Sequence, residues 1–170
     1  LYKNSIIKVM EIAESTIDDW WVLPGFELEK VATGLKLPVN IAFVPNPKKD
    51  KNSPFFYVNE LYGQVKVITN SGQISTYADG LLNFKPDFKS PGSGESGLTG
   101  IAVEPETGDL FLSMIYVDNK KPKARVVRTH SNDGLKINKS ATIIDNIPSI
   151  LGAHQIQALT IGPDNKLYVN

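Results

Sequence analysis

Two side chains that can move a proton or hold a polar ligand stand in loops that feed strands. His154 lies in Gly152-Ala153-His154-Gln155, and Glu95 in Ser90-Pro91-Gly92-Ser93-Gly94-Glu95-Ser96-Gly97. An imidazole with an ordinary pKa of about 6.5 can act as a general base near neutral pH; a structural histidine bonded to a loop carbonyl is the alternative reading. The glycines around Glu95 let backbone approach a ligand, and a carboxylate there suits a hydroxyl or a hard cation. A plain surface connection explains the same composition. His130, beside Ser131-Asn132-Asp133-Gly134, reads as an exposed turn residue.

Other chemistries find little support. Cysteine is absent, which removes disulfides, thiolate metal sites and cysteine nucleophiles together. Two histidines parted by a strand and a long loop make a poor transition-metal site. The glycine-rich loop lacks the lysine and hydroxyl residue of a phosphate loop, and Gly92-Ser93-Gly94 is no nucleophile elbow. Asn138-Lys139-Ser140 matches a glycosylation sequon, a short pattern that often occurs by chance. Eighteen Lys and Arg balance eighteen Asp and Glu, so no global field recruits nucleic acid or an anionic membrane surface. No apolar run approaches the roughly 18 to 20 residues of a membrane span.

The elements that must hold these loops repeat. Ile41-Ala42-Phe43-Val44-Pro45, Ile101-Ala102-Val103-Glu104-Pro105 and Leu159-Thr160-Ile161-Gly162-Pro163 place their prolines 60 and then 58 residues apart. Each is followed by a second strand: Phe55 to Val58, Asp109 to Ser113, Lys166 to Val169. A period near 60 made of strands and turns predicts an all-β fold of propeller blades. The first blade takes Val39 to Val44, Phe55 to Asn59, Gln64 to Ile68 and Ile74 to Ala78. The second takes Gly100 to Val103, Asp109 to Tyr116, Arg125 to His130 and Ala141 to Asp145, and the third only two strands, the first of them Gln157 to Ile161. Phe26 to Ala32 is expected as a lone strand closing a last blade. Ahead of it, Ile6, Met10, Ala13, Ile17 and Trp20 at three- or four-residue steps predict an amphipathic helix over Ser5 to Trp21, ended by Pro24-Gly25. The expected division is therefore a helical segment, 1–25, and a partial propeller, 26–170, of about two and a half blades. The first residue, Leu1, is not a methionine, so a leader, an anchor or more of the domain is expected upstream. An open ring needs further units to close, from residues after Asn170 or from another chain.

In order and spacing the motifs resemble the glucose/sorbosone dehydrogenase family, six-bladed propellers that use pyrroloquinoline quinone and calcium to oxidise sugars. The resemblance runs from Leu23-Pro24-Gly25-Phe26 through Ala32-Thr33-Gly34-Leu35-Lys36-Leu37-Pro38-Val39-Asn40-Ile41-Ala42-Phe43 and Gly94-Glu95-Ser96-Gly97-Leu98-Thr99-Gly100-Ile101-Ala102. It ends with His154-Gln155-Ile156-Gln157 and the following Gly162-Pro163-Asp164-Asn165-Lys166-Leu167-Tyr168-Val169. It implies the N-terminal half of such a propeller, with His154 as catalytic base and Glu95, Gln155 and Gln157 at the substrate and cofactor pocket. Quinone and calcium ligands are implied outside this chain, with no metal ligand within it. A small sugar as substrate, the rest of the ring as partner, and an extracellular or periplasmic location follow from the same resemblance. Ile156 and Gln157 stand where the family carries a glycine pair, and Ala153 where glucose-oxidising members tend to have aspartate. A propeller that keeps the fold without the chemistry, as a binding or scaffold module, is the rival reading.

Overall fold

The computed structural model describes residues 20–86, 95–149 and 155–170. The chain divides into two units, Leu1–Thr33 and Gly34–Asn170. In the first, Phe26 N–H donates to the Leu23 carbonyl at 3.0 Å across the Pro24-Gly25 turn, with Gly25 at a φ of +92° that favours glycine. The helix expected over Ser5 to Trp21 falls almost wholly outside the described residues; Trp20 and Trp21, which are described, are not helical. Phe26 to Ala32 forms no strand. Alternation alone does not make a ladder: a strand needs a hydrogen-bonded neighbour, and no described segment pairs with this one.

The second unit is all-β. Four strands, β1 (Pro38–Phe43), β2 (Pro54–Glu60), β3 (Gln64–Thr69) and β4 (Ile74–Ala78), form one antiparallel sheet in chain order. A second sheet repeats the order with β5 (Leu98–Val103), β6 (Leu110–Asp118), β7 (Lys121–His130) and β8 (Lys139–Pro148), and a hairpin of β9 (Leu159–Ile161) and β10 (Leu167–Val169) begins a third. These are the inner strands and the unit order that the proline repeats predict. Equivalent bonds mark the repeat: Val44, Glu104 and Gly162 each donate their amide to the second strand's start, at Phe55, Asp109 and Lys166.

Burial explains the composition of each sheet. The second sheet is covered on both faces, so β5 is buried throughout and reads as a continuous apolar run. Ile101, Val103, Leu110, Leu112 and Met114 turn toward the first sheet, where they meet Tyr57, Val65, Val67 and Tyr77. Ala102, Phe111 and Val126 turn the other way, onto Leu159, Ile161, Leu167 and Val169 of the hairpin. Alternate residues thus serve two interfaces, as the period of two in a strand requires. Each fully buried Leu, Ile or Val contributes on the order of 1.5–3 kcal/mol.

The β6–β7 hairpin is longer than its sequence suggests. The strands expected over Asp109 to Tyr116 and Arg125 to His130 run on to Asp118 and start from Lys121, so Pro122 pairs with Val117, and the reversal is made by Asn119 and Lys120 with φ of 47° and 64°. Positive φ at both central residues is the two-residue turn that matches strand twist.

Candidate functional site

The loops that feed β5 and β9 meet at one end of the second sheet. Glu95 is exposed, Ser96 is buried behind it, and Gly97 follows. A Cβ at Gly97 would collide with the Leu61 carbonyl, so the loop runs hard against the β2–β3 turn, and Leu98 N–H donates to that same carbonyl at 3.0 Å. Close approach of backbone to backbone is the reason for glycine here. Below the rim, the buried Glu60 carboxylate accepts the Lys36 amide at 2.6 Å and lies 4.0 Å from the Lys66 ammonium.

Gln155 crosses from the third unit and donates its side-chain amide to Ser96 Oγ at 3.0 Å, while its own Oε1 is buried without a hydrogen-bond partner. The backbone that follows is seated on the second sheet. Thr99 Oγ1 donates to the Ile156 carbonyl at 2.7 Å, and Ser113 Oγ to the Gln157 carbonyl at 3.1 Å. Gln157 N–H donates to the Asn170 carbonyl at 2.9 Å. The Ile156 side chain packs on the apolar cluster of Ala102, Phe111, Val126 and Leu159, while Gln157 is exposed.

Of the four sequence-derived site residues, then, Gln155 is brought onto the neighbour of Glu95, and Gln157 presents an exposed side chain above a bound carbonyl. His154 lies outside the described residues. Among the described residues no group of three or more His, Cys, Asp or Glu could hold a metal ion. Glu95, Gln155 and Gln157 also bring no cation to pair with the carboxylates of a quinone cofactor. These residues alone therefore fit neither calcium nor the quinone.

One polar cluster escaped the sequence reading. Asp109, buried at the start of β6, accepts from Arg128 Nε at 2.6 Å and faces His130 Nδ1 at 2.7 Å. Burial raises its pKa, but the hydrogen bonds and charges of His130 and Arg128 outweigh burial and hold the carboxyl below its ordinary value. The signal was present: Arg128 and His130 are two apart on one strand and so share a face, beside the strand that Asp109 opens. His130 is thus an anchored strand residue as well as a turn neighbour. Nearby, Tyr77 Oη and Thr129 Oγ1 are 3.0 Å apart, Tyr57 Oη donates to the Gly134 carbonyl, and burial pushes the Tyr57 phenol up. Tyr57 and Gly134 line a cavity of about 270 Å³ between the Pro45 and Pro105 turns, at the opposite end of β5 from the loops of Glu95 and Gln155.

Two four-stranded meanders and the start of a third define a partial β-propeller, and comparison with solved structures agrees. The PQQ-bound aldose sugar dehydrogenase of Streptomyces coelicolor superposes with a TM-score of 0.55 and 23% identity, over 82% of this chain and 39% of that one. A glucose dehydrogenase crystal structure gives a TM-score of 0.62 at 18% identity, over 82% and 39%, and a further glucose dehydrogenase gives 0.58 at 18%, over 79% and 40%. The chain shares their fold and spans about two fifths of their length, so the resemblance read from the sequence holds at the level of fold. No family model matches the chain. An uncharacterized protein of Archaeoglobus fulgidus is 50% identical over 50 residues, all of that protein and 29% of this chain; the two belong to one sequence family.

Proposed function

We propose that this chain is part of a propeller that oxidises a sugar hydroxyl with a quinone cofactor and calcium, with His154 as the base. The observation that carries the reading is the Gln155–Ser96 hydrogen bond. It joins the residue after His154 to the residue after Glu95, so the two segments singled out for chemistry meet at one end of one sheet. The shared fold with a PQQ-bound aldose sugar dehydrogenase supports it. Ile156, which stands at a family glycine position and favours the binding-module reading, has its side chain packed on the apolar cluster.

Oxidation of a hydroxyl removes a proton from oxygen and a hydride from carbon, and the quinone, when bound, would accept the hydride. In this reading His154 takes the proton, and Glu95, Gln155 and Gln157 accept or donate hydrogen bonds to the sugar's other hydroxyls. Quinone and calcium are held by other parts of the ring, which also close the exposed edge of the third unit. Asn170 follows Val169, which pairs with Leu159 as Val58 pairs with Ile41 and Leu112 with Ile101. It therefore occupies the position from which Asn59 and Ser113 bond a neighbouring unit. The proposed location, extracellular or periplasmic, follows the family resemblance; among the described residues no helix is long and apolar enough to cross a membrane.

Equilibrium dialysis of pyrroloquinoline quinone against the full-length protein, with calcium and with chelator, tests the reading. Calcium-dependent uptake, followed by reduction of an artificial acceptor on adding an aldose, is the expected result. No uptake with calcium present would leave the non-catalytic binding module as the function.

A further inference from the structure

Three consecutive residues of the segment that follows His154 are held by three hydroxyls of the second sheet and its approach: Gln155 by Ser96, Ile156 by Thr99, Gln157 by Ser113. Two of these hydroxyls are not part of the general repeat. Matching Ile41 to Ile101 places Lys36 and Val39 of the first unit at the positions of Ser96 and Thr99, and neither carries a hydroxyl. Only the Ser113 position, occupied by Asn59 in the first unit, donates to the next unit in both.

The β5–β6 register shifts between Leu98 and Gly100 as the β1–β2 register does between Pro38 and Asn40, so the bulge belongs to the repeat. The second unit uses it by placing a hydroxyl there: Thr99, out of the regular pairing, reaches the next unit where Val39 has no donor to offer. At Gly100 a Cβ would collide with the Gln157 carbonyl and Ser113 Oγ, whereas the first unit has Asn40 there. Thr99 and Ser113 are buried. Their hydroxyls donate to the main-chain carbonyls of Ile156 and Gln157, and leaving a buried hydroxyl without its partner is costly.

We infer that Thr99 and Ser113, which hold the Ile156 and Gln157 carbonyls, and Ser96, which holds the Gln155 side chain, are positioning residues that lock residues 155–157 against the second sheet and so fix the anchor of His154. The functional half of this inference rests on the proposed sugar oxidation. The locking itself does not, and can be measured separately. A positioning error of about 1 Å can cost on the order of 100-fold in rate, so the expected kinetic signature is a lower kcat with KM little changed.

Hydrogen exchange by mass spectrometry on the full-length protein reads the lock directly. Thr99→Val and Ser113→Ala are expected to speed exchange of the amides in 155–161 by roughly 5- to 10-fold, the effect of one lost hydrogen bond, with β2–β4 unchanged. Thr99→Ser, which keeps the hydroxyl, should restore the wild-type pattern. Where either variant fails to fold, the other is measured alone, and Ser96→Ala, which frees the Gln155 side chain, should speed exchange at residues 155–157. Unchanged exchange in 155–161 overturns the inference whatever the activity. Faster exchange with kcat and KM unchanged in an active protein overturns the positioning role. Faster exchange in a protein whose wild type oxidises no sugar supports the lock and removes the sugar-oxidation reading alone.

Discussion

The Asn59 side-chain amide donates to the Leu98 carbonyl at 2.8 Å, across the junction of the first and second sheets. Ser113, at the equivalent place in the second sheet, bonds the Gln157 carbonyl. A small polar side chain on each second strand thus ties one sheet to the start of the next unit. Asn59→Leu removes the donor and leaves a buried carbonyl unpaired, which costs about 1–3 kcal/mol. Urea unfolding of the full-length protein should show the midpoint fall with the slope unchanged; an unaltered midpoint would show that the bond carries no stability.

Gly100→Ala should be destabilising by about 1–3 kcal/mol, as overpacking of a tight core usually is. The new methyl would meet the backbone oxygen of Gln157, and backbone cannot step aside as a flexible side chain does. Gly72→Ala is the control. Its Cβ would meet nothing within 4 Å, so only the left-handed φ of +79° is strained. Comparing the thermal midpoints of the two variants separates collision from conformational strain.

Asp109 sets an acid limit on stability. With its folded pKa below the ordinary value, the unfolded chain takes up the proton first as pH falls. The stabilisation from Arg128 and His130 is therefore complete above the unfolded carboxylate value of about 4, and is lost as pH drops through the folded value. Urea midpoints measured between pH 6 and pH 2 should decline less steeply in Asp109→Asn than in wild type. Parallel curves would remove Asp109 as the titrating group.

His154→Ala, in a full-length protein loaded with quinone and calcium, should lower turnover by roughly 100- to 10,000-fold, the usual share of a positioned general base. Activity should also fall on the acid side as the imidazole takes its proton. Glu95→Ala is expected to raise KM for the sugar more than it lowers kcat, because its assigned role is to hold substrate. Steady-state kinetics on both variants decide the matter: a His154→Ala enzyme with near-normal turnover would refute the base assignment.

The sequence by itself determined the repeat, the inner strands and most turns, because these depend on local patterns. A proline sixty residues from its copy, an alternating or continuous apolar run and a Pro-Gly or Asn-Asp-Gly turn act through neighbours along the chain. It also placed Glu95 and Gln155 in loops entering successive units. Only the tertiary structure decided that Gln155 lands on Ser96, that Ile156 packs on Phe111 and Leu159, and that Asp109 gathers Arg128 and His130. It likewise decided that Phe26 to Ala32, for all its alternation, forms no strand, and that Pro122 sits inside one. Each of these outcomes depends on which backbone lies across the gap and in what register. A one-residue shift at Thr99, or a glycine whose missing Cβ lets two units close, changes every cross-sheet contact without changing the local pattern.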